Sequence, residues 1–573
     1  MTPTVKLAEY LFTRLKQLGV GAIHGVPGDF NLSLLDYVEP TGLHWVGNAN
    51  ELNAGYAADG YARIKGVGAI ITTFGVGELS AINAVAGAYA ERAAVVHIVG
   101  TPPRASQDAG LLIHHTFNDG NYRRFGQMYT HVTVAQASLR DPRTGAEQID
   151  HVLTQCILQS RPVYIEVPVD LVAAPVAAAR LQDKIQIPDA VPTPALDKAL
   201  SYIVEKIQSS DCPIILVDGE TRALGIVDEV QRLSAATNWP TWTTAFGKGL
   251  LDESLPNFHG VYRGPFATAD TKSLFSTASP ILCFGPHFSS TNSYNYAAIP
   301  PPATTLAFSD DSLTFGSDAR HAFRDVPLKP LVFKLAALAA AGTLAPTRPP
   351  PTKLTRDTTL AFADVSASER LDHDKLWRLL AGAFLRAGDV VLGETGTSGH
   401  GVREMRLPPR ARLFAPATWL SIGYMLPAAV GAARAQREAG GGGRTVLFIG
   451  DGSLQMTVQE LGTVVKEGLG LVVFVVNNDG YTIERCIHGL REGYNDVGRW
   501  RYLKAPEFFG ADEEAYTAEV RTWGQLEEGL RDERLVSGEG LRMVELVMGK
   551  EDAPKGPLLS LLQRERQRLG EGS

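Results

Sequence analysis

The stretch that most restricts what this chain can fold into is residues 444–484. A run of β-branched and apolar residues at 445–449 ends in Gly450-Asp451-Gly452, and a second run at 471–476 ends in Asn477-Asn478-Asp479-Gly480. Between them Leu454, Val458, Leu461 and Val465 recur at helical spacing, so the pattern reads strand, loop, helix, strand, loop. Strands joined through a helix in this way are parallel. In open parallel sheets, ligands sit beyond the carboxyl ends of the strands, where both polar loops fall.

These loops carry the ligands of a hard cation. Asp451 offers a carboxylate, Asn478 a side-chain carbonyl and Gly480 a backbone carbonyl on a chain free to turn sharply. Mg²⁺ takes such oxygens and completes its shell with water and phosphate oxygens. Gly450 and Gly452 let backbone N–H groups, and the helix start at Ser453, come close to an anion. The composite is a Mg²⁺–diphosphate site.

At 573 residues the chain has room for three or four domains. Its 45% hydrophobic and 20% charged content is that of a globular protein, and a net charge of −8 argues against a nucleic-acid surface. Cys156, Cys212, Cys283 and Cys486 are scattered without a CxxC pair, which fits a reducing compartment, and a cytoplasmic location is expected. No apolar run approaches the ~20 residues of a membrane span. Leu7, Leu11, Leu15 and Leu18 mark an amphipathic helix in place of a signal sequence.

Strand and helix patterns alternate through most of the chain, which predicts an α/β protein of three doubly wound domains with mostly parallel sheets. The expected domains are 1–185, 196–343 and 359–573, joined by proline-rich linkers at 186–196 and 343–358, with the charged end 563–573 fraying or lying on the surface. Gly75, Gly77 and Ser80 nearly match a dinucleotide loop. The strand that follows, 95–100, ends without the acidic residue a nicotinamide enzyme needs, so a tight strand-to-helix turn is the better reading.

The GDG motif, the 24 residues 453–476 and the following Asn-Asn together resemble the thiamine-diphosphate fingerprint. Matches at 27–36, 47–63, 71–81, 114–116, 394–398, 421–423 and 480–484 narrow the resemblance to the 2-oxo-acid decarboxylases, close to the fungal pyruvate decarboxylases. It implies pyrimidine-binding, middle and diphosphate-binding domains in that order. It also implies non-oxidative decarboxylation of pyruvate to acetaldehyde and CO₂ through a thiamine diphosphate ylide and enamine, with larger 2-oxo acids or an acetolactate-synthase-like carboligation as alternatives. By the same resemblance Glu51 hydrogen-bonds the aminopyrimidine, Ile422 wedges the cofactor into a V shape, and Thr395 and Thr397 line it. Asp29, His114, His115 and Glu484 form the acid–base cluster, with the two adjacent histidines expected to point apart. Glu51 of one subunit acts on cofactor held by Asp451 and Asn478 of another, so a homodimer or homotetramer with shared sites is implied.

Some positions depart from the pattern. Leu420 stands where these decarboxylases carry glycine, so the cofactor pocket must make room for a side chain. Gly399, His400 and Thr291 suggest a roomier substrate pocket walled by Ile483 and Ile487. Glu220 replaces a cysteine linked in yeast enzymes to substrate activation.

Overall fold

Each run of alternating patterns builds its own sheet in the computed structural model, which describes residues 3–187, 193–210, 212–316, 322–345, 354–513 and 515–571. The first sheet has the order His44–Gly47, Ala22–Gly25, Gly68–Thr73, Val95–Thr101, Val163–Pro168, Gln136–Ser138, with every neighbour parallel. The last has the order Arg412–Phe414, Val390–Gly393, Thr445–Gly450, Leu471–Asn477, Leu541–Val547, Thr517–Val520, again all parallel. The middle sheet is parallel from Phe258–Val261 to Thr305–Ser309 and ends in two antiparallel edge strands, Ser312–Phe315 and Ala322–Phe323. Central strands such as Leu471–Asn477 are buried almost throughout because helices cover both faces. The protein is thus three α/β units with mostly parallel sheets. The proline-rich stretches expected as linkers fall in part on residues 188–192 and 346–353, outside the described residues.

The topology sets where ligands can sit. In the first sheet the chain steps from Ala22–Gly25 to its neighbour on one side and then, with Gly68–Thr73, to the other. The last sheet does the same around Val390–Gly393, with Arg412–Phe414 and then Thr445–Gly450. Each switch opens a crevice at the carboxyl ends of the strands. Residues 26–29, 48–51 and 74–75 border one crevice; 394–397, 450–452 and 478–480 border the other.

The first and last units are held together by the helices Glu51–Lys65 and Met425–Ala439. A Cβ on Gly60 would fall 2.1 Å from the Ala428 carbonyl oxygen, and one on Gly431 would fall 1.9 Å from that of Ala57. Glycine on both sides lets the two backbones touch. Tyr56 and Tyr61 then join Met425, Leu426 and Leu447 in one shared core.

One local expectation changes and one resolves between its alternatives. The helix between the loops is broken into Asp451–Thr457 and Glu460–Lys466, although Leu454 and Leu461 are buried as their spacing requires. At the break Thr457 donates its hydroxyl to Gly423 O at 2.7 Å, and Glu460 turns toward the first unit. Of the two alternatives for the charged C-terminal stretch, the described residues take the surface one: Pro557–Arg568 is a helix with most of 563–570 exposed, while its Leu558 and Leu562 pack on Cys486 and Leu490 and Glu565 accepts the Gly489 N–H at 2.9 Å. Two leucines four residues apart give that charged segment an apolar stripe to bury.

Candidate active site

Asp451 is 2% exposed, and its carboxylate accepts the N–H groups of Gly452 at 2.8 Å and Gly480 at 3.0 Å. Burial pushes its carboxyl up to about 6, and among the described residues no basic side chain pairs with it. Gly480 has φ of +129°, which lets its carbonyl turn back toward Asp451. The Asn478 amide oxygen lies 2.7 Å from Gly480 O and 3.3 Å from Asp451 Oδ1. Three oxygens crowded in this way repel one another unless a cation lies between them. Adjacent ligands on an octahedral Mg²⁺ stand about 2.9 Å apart, so the donor set fits that ion. In the opposite amide orientation the nitrogen donates to the same two oxygens and the amide oxygen accepts from the Thr482 hydroxyl at 2.9 Å, the arrangement that suits the site without a cation; a bound cation would turn the oxygen inward.

Every cofactor position expected in the last unit lines the same cleft, Thr395, Thr397, Ile422, Gly450–Ser453, Asn478 and Gly480, and Glu484 lines it too. On the cleft wall Thr395 Oγ1 is buried with no hydrogen-bond partner among the described residues, as a hydroxyl awaiting a polar ligand would be. Glu394 is fully buried and accepts the N–H groups of Thr395 at 2.7 Å and Met425 at 2.8 Å; burial lifts its carboxyl to about 7. These residues fit a diphosphate cofactor and its metal.

The turn that carries Ile422 is fixed from outside its own unit. Glu91, 1% exposed, accepts three consecutive N–H groups with one oxygen, from Ala417 at 2.7 Å, Thr418 at 2.9 Å and Trp419 at 3.2 Å. Its other oxygen accepts from Arg63 at 2.9 Å. Tyr56 donates to Ser421 Oγ at 2.8 Å. Leu420 lines the cleft with φ of +55°, a left-handed conformation that costs a leucine ~1–2 kcal/mol and explains why glycine suits this position. Thr291, Gly399, His400 and Ile483 also line the cleft, whereas Ile487 is 59% exposed and does not. Glu220 forms ion pairs with Arg92 at 2.9 Å and His287 at 3.0 Å, tying the middle unit to the first.

The remaining acid–base candidates lie on the first unit and do not line this cleft. His114 Nε2 is 2.7 Å from Asp29 Oδ2. The two histidines do not point apart as expected: His115 has φ of +72°, which breaks the alternation of side chains, and ligand atoms of Asp29, His114 and His115 all lie within 4.8 Å of one another. Glu51 opens its helix behind the N-cap Asn50. A Cβ on Gly77 would meet its carboxylate at 3.0 Å, so the glycine loop makes room for this acid. The Gly75 N–H is occupied by the Glu78 carboxylate at 2.7 Å, as a strand-to-helix turn requires.

Family models match along the chain: the N-terminal thiamine pyrophosphate-binding domain of thiamine pyrophosphate enzymes at 5–122, their central domain at 200–326 and their C-terminal binding domain at 394–545. The chain is 53% identical to a pyruvate decarboxylase of Aspergillus parasiticus over 98% of both chains. It belongs to the pyruvate decarboxylase family of thiamine pyrophosphate enzymes. Pyruvate decarboxylase isozyme 1 of Saccharomyces cerevisiae is 38% identical, covering 96% of this chain and 97% of its own. A thiamine diphosphate-dependent 4-hydroxybenzoylformate decarboxylase of Rhodococcus jostii RHA1 shares the fold, with a TM-score of 0.76 at 19% identity over 96% of this chain and 100% of its own. This member of the family uses thiamine diphosphate and Mg²⁺ and is a carboxy-lyase.

Sequence reasoning gave no role to three buried carboxylates that shape the site or its surroundings, although Glu394 opens one of the matched segments. Glu91, Glu394 and Glu460 look like ordinary charges in the sequence, and only their burial sets them apart. The one available signal was their placement next to apolar runs, where a carboxylate must find donors.

Proposed function

We propose that this protein converts pyruvate to acetaldehyde and CO₂ in active sites shared between two copies of the chain. The observation that carries this reading is the 53% identity to a pyruvate decarboxylase along 98% of both chains. The segments 1–185, 196–343 and 359–573 act as pyrimidine-binding, middle and diphosphate-binding domains. Asp451, Asn478 and the Gly480 carbonyl hold Mg²⁺, and Gly450, Gly452 and Ser453 face the diphosphate. When bound, thiamine diphosphate supplies a nucleophilic carbon and an electron sink for the bond to CO₂.

The chain supplies position and protons. Ile422 would press against the bound cofactor and orient it for reaction, with Thr395 and Thr397 beside it. Glu51 holds a proton at a ring nitrogen of the aminopyrimidine. Glu484 disfavours a second negative charge at the substrate carboxylate, and Asp29 with His114 and His115 holds the proton that the departing aldehyde carries. The placement of Glu51, Asp29 and the histidines outside the cleft of their own chain supports a complete site only at a dimer interface. A homodimer is then the smallest active unit and a dimer of dimers its larger form. A cytoplasmic location fits the scattered free cysteines. Among the described residues no helix is long and apolar enough to cross a membrane.

The test mixes purified protein with thiamine diphosphate, Mg²⁺ and pyruvate and follows aldehyde through alcohol dehydrogenase and NADH. Acetaldehyde formation that stops when Mg²⁺ is withheld is expected. Its absence, with turnover of phenylpyruvate or indolepyruvate instead, would overturn pyruvate as the substrate.

A further inference from the structure

Glu460 has no part in the metal or cofactor contacts, yet it is fully buried and sits where two domains meet. Its carboxylate accepts the Ala49 N–H at 2.8 Å and the Asn48 amide N–H at 3.0 Å. Asn48 in turn accepts the Gly25 N–H with its side-chain oxygen at 3.2 Å, and its own N–H donates to Gly25 O at 3.0 Å. Ala49 and Asn50 lead directly into Glu51. Gly25 ends the strand that leads through Pro27 and Gly28 into Asp29. One carboxylate from the diphosphate-binding domain therefore fixes both turns from which Glu51 and Asp29 project.

The chemistry requires a carboxylate. The two bonds that tie Glu460 to the first unit both come from donors, the Thr463 and Asn53 side chains also favour its charged form, and Asn48 cannot reverse its amide without losing Gly25. A glutamine could satisfy Ala49 or Asn48 but would turn its own N–H₂ on the other, leaving a buried donor unpaired. Glu460 also opens the helix Glu460–Lys466, nine residues after Asp451. A single segment, 451–466, thus carries the metal ligand of one site and holds the two acids that serve the other.

We infer that Glu460 is a positioning residue that aims Glu51 and Asp29 of its own chain into the active site built on the partner's cofactor. This rests on the shared-site reading above.

Hybrid dimers with separable tags test it. One chain carries Asp451→Asn, so only the cleft of the other chain is loaded, and that cleft is served by Glu51 of the Asp451→Asn chain. With Glu460→Gln in that same chain, kcat is expected to fall on the order of ten- to a hundredfold, the range for small misplacements of catalytic groups, with thiamine diphosphate affinity retained. The loss should exceed by about tenfold or more the loss seen with Glu460→Gln in the opposite chain. Equal losses, or the reverse order, would overturn the inference. Glu51→Gln in the same two arrangements tests the shared-site reading separately: that reading fails if turnover is lost only when Glu51→Gln lies in the loaded chain.

Two further measurements guard against a trivial result. In cofactor-free protein, Glu460→Gln should speed hydrogen exchange at the Ala49 amide, because an amide oxygen that keeps Ala49 turns its N–H₂ on the Asn48 donor and loosens the turn both residues share; unchanged exchange would overturn the inference. Asn48→Asp combined with Glu460→Gln reverses the donor–acceptor polarity and should restore both slow exchange and most of the lost kcat. Restored exchange with kcat still low would show that the contact does not aim Glu51, and would refute the proposal.

Discussion

Replacing Glu91 by glutamine should loosen the turn that carries Leu420 and Ile422. The native carboxylate is 1% exposed and serves four donors, three backbone N–H groups at 2.7, 2.9 and 3.2 Å and the Arg63 guanidinium at 2.9 Å. An amide has one acceptor oxygen, so its N–H₂ must face either the backbone donors or Arg63. One misdirected buried donor costs ~1–3 kcal/mol, and the remaining bonds lose charge assistance worth about 1 kcal/mol each. Arg63, with a side chain only 3% exposed, keeps Asp59 at 2.7 Å, which limits the loss. A total of about 3–5 kcal/mol is the size expected when one partner of a buried pair is removed. Calorimetry of the cofactor-free protein should show the transition moving down by several degrees. A double-mutant cycle with Arg63→Met should show coupling of about 1.5 kcal/mol or more. Cofactor affinity should fall in parallel because the displaced turn carries Ile422. Stability within about 0.5 kcal/mol of the parent, or simple additivity in the cycle, would refute the reasoning.

Other outcomes follow from the site. The Asp451 carboxyl, raised to about 6, is protonated below that pH, so Mg²⁺ affinity should fall about tenfold per pH unit below 6 and level off above it. The same shift, from 3.8 in the unfolded chain, means that the cofactor-free protein loses up to about 3 kcal/mol of stability from this group as pH rises from 4 to 6; Asp451→Asn should abolish that loss in pH-dependent urea unfolding. Glu484→Gln should halt turnover while bound thiamine diphosphate, measured after gel filtration, stays stoichiometric. Gly431→Ala, whose Cβ would fall 1.9 Å from a backbone oxygen, should cost ~1–3 kcal/mol or more in thermal unfolding, since neither helix backbone can yield cheaply.

Much of this was legible in the residues because it depends on local pattern. The βαβ unit, the helix from Glu51 and the buried stripe of Leu7, Leu11 and Leu15 follow from periodicity alone. The metal loops were legible because oxygen donors and glycines lie within a few positions of strand ends. The charged residues at 563–573 left two alternatives open, and only the anchoring leucines Leu558 and Leu562 just upstream decide for an ordered surface helix. The divergence of His114 and His115 failed for a related reason: alternation assumes extended backbone, and φ of +72° at His115 is set by its surroundings.

By itself the sequence determined the three α/β units, the cation and diphosphate loops and the family, all of which rest on interactions or motifs short in sequence. Only the tertiary structure decided what the isolated carboxylates do. Glu91 reaches residues 417–419, and Glu460 reaches residues 48 and 49, across hundreds of intervening positions. Whether a carboxylate is solvated or is the buried acceptor that holds a turn depends on which donors the packed domains bring to it, and no local spacing encodes that.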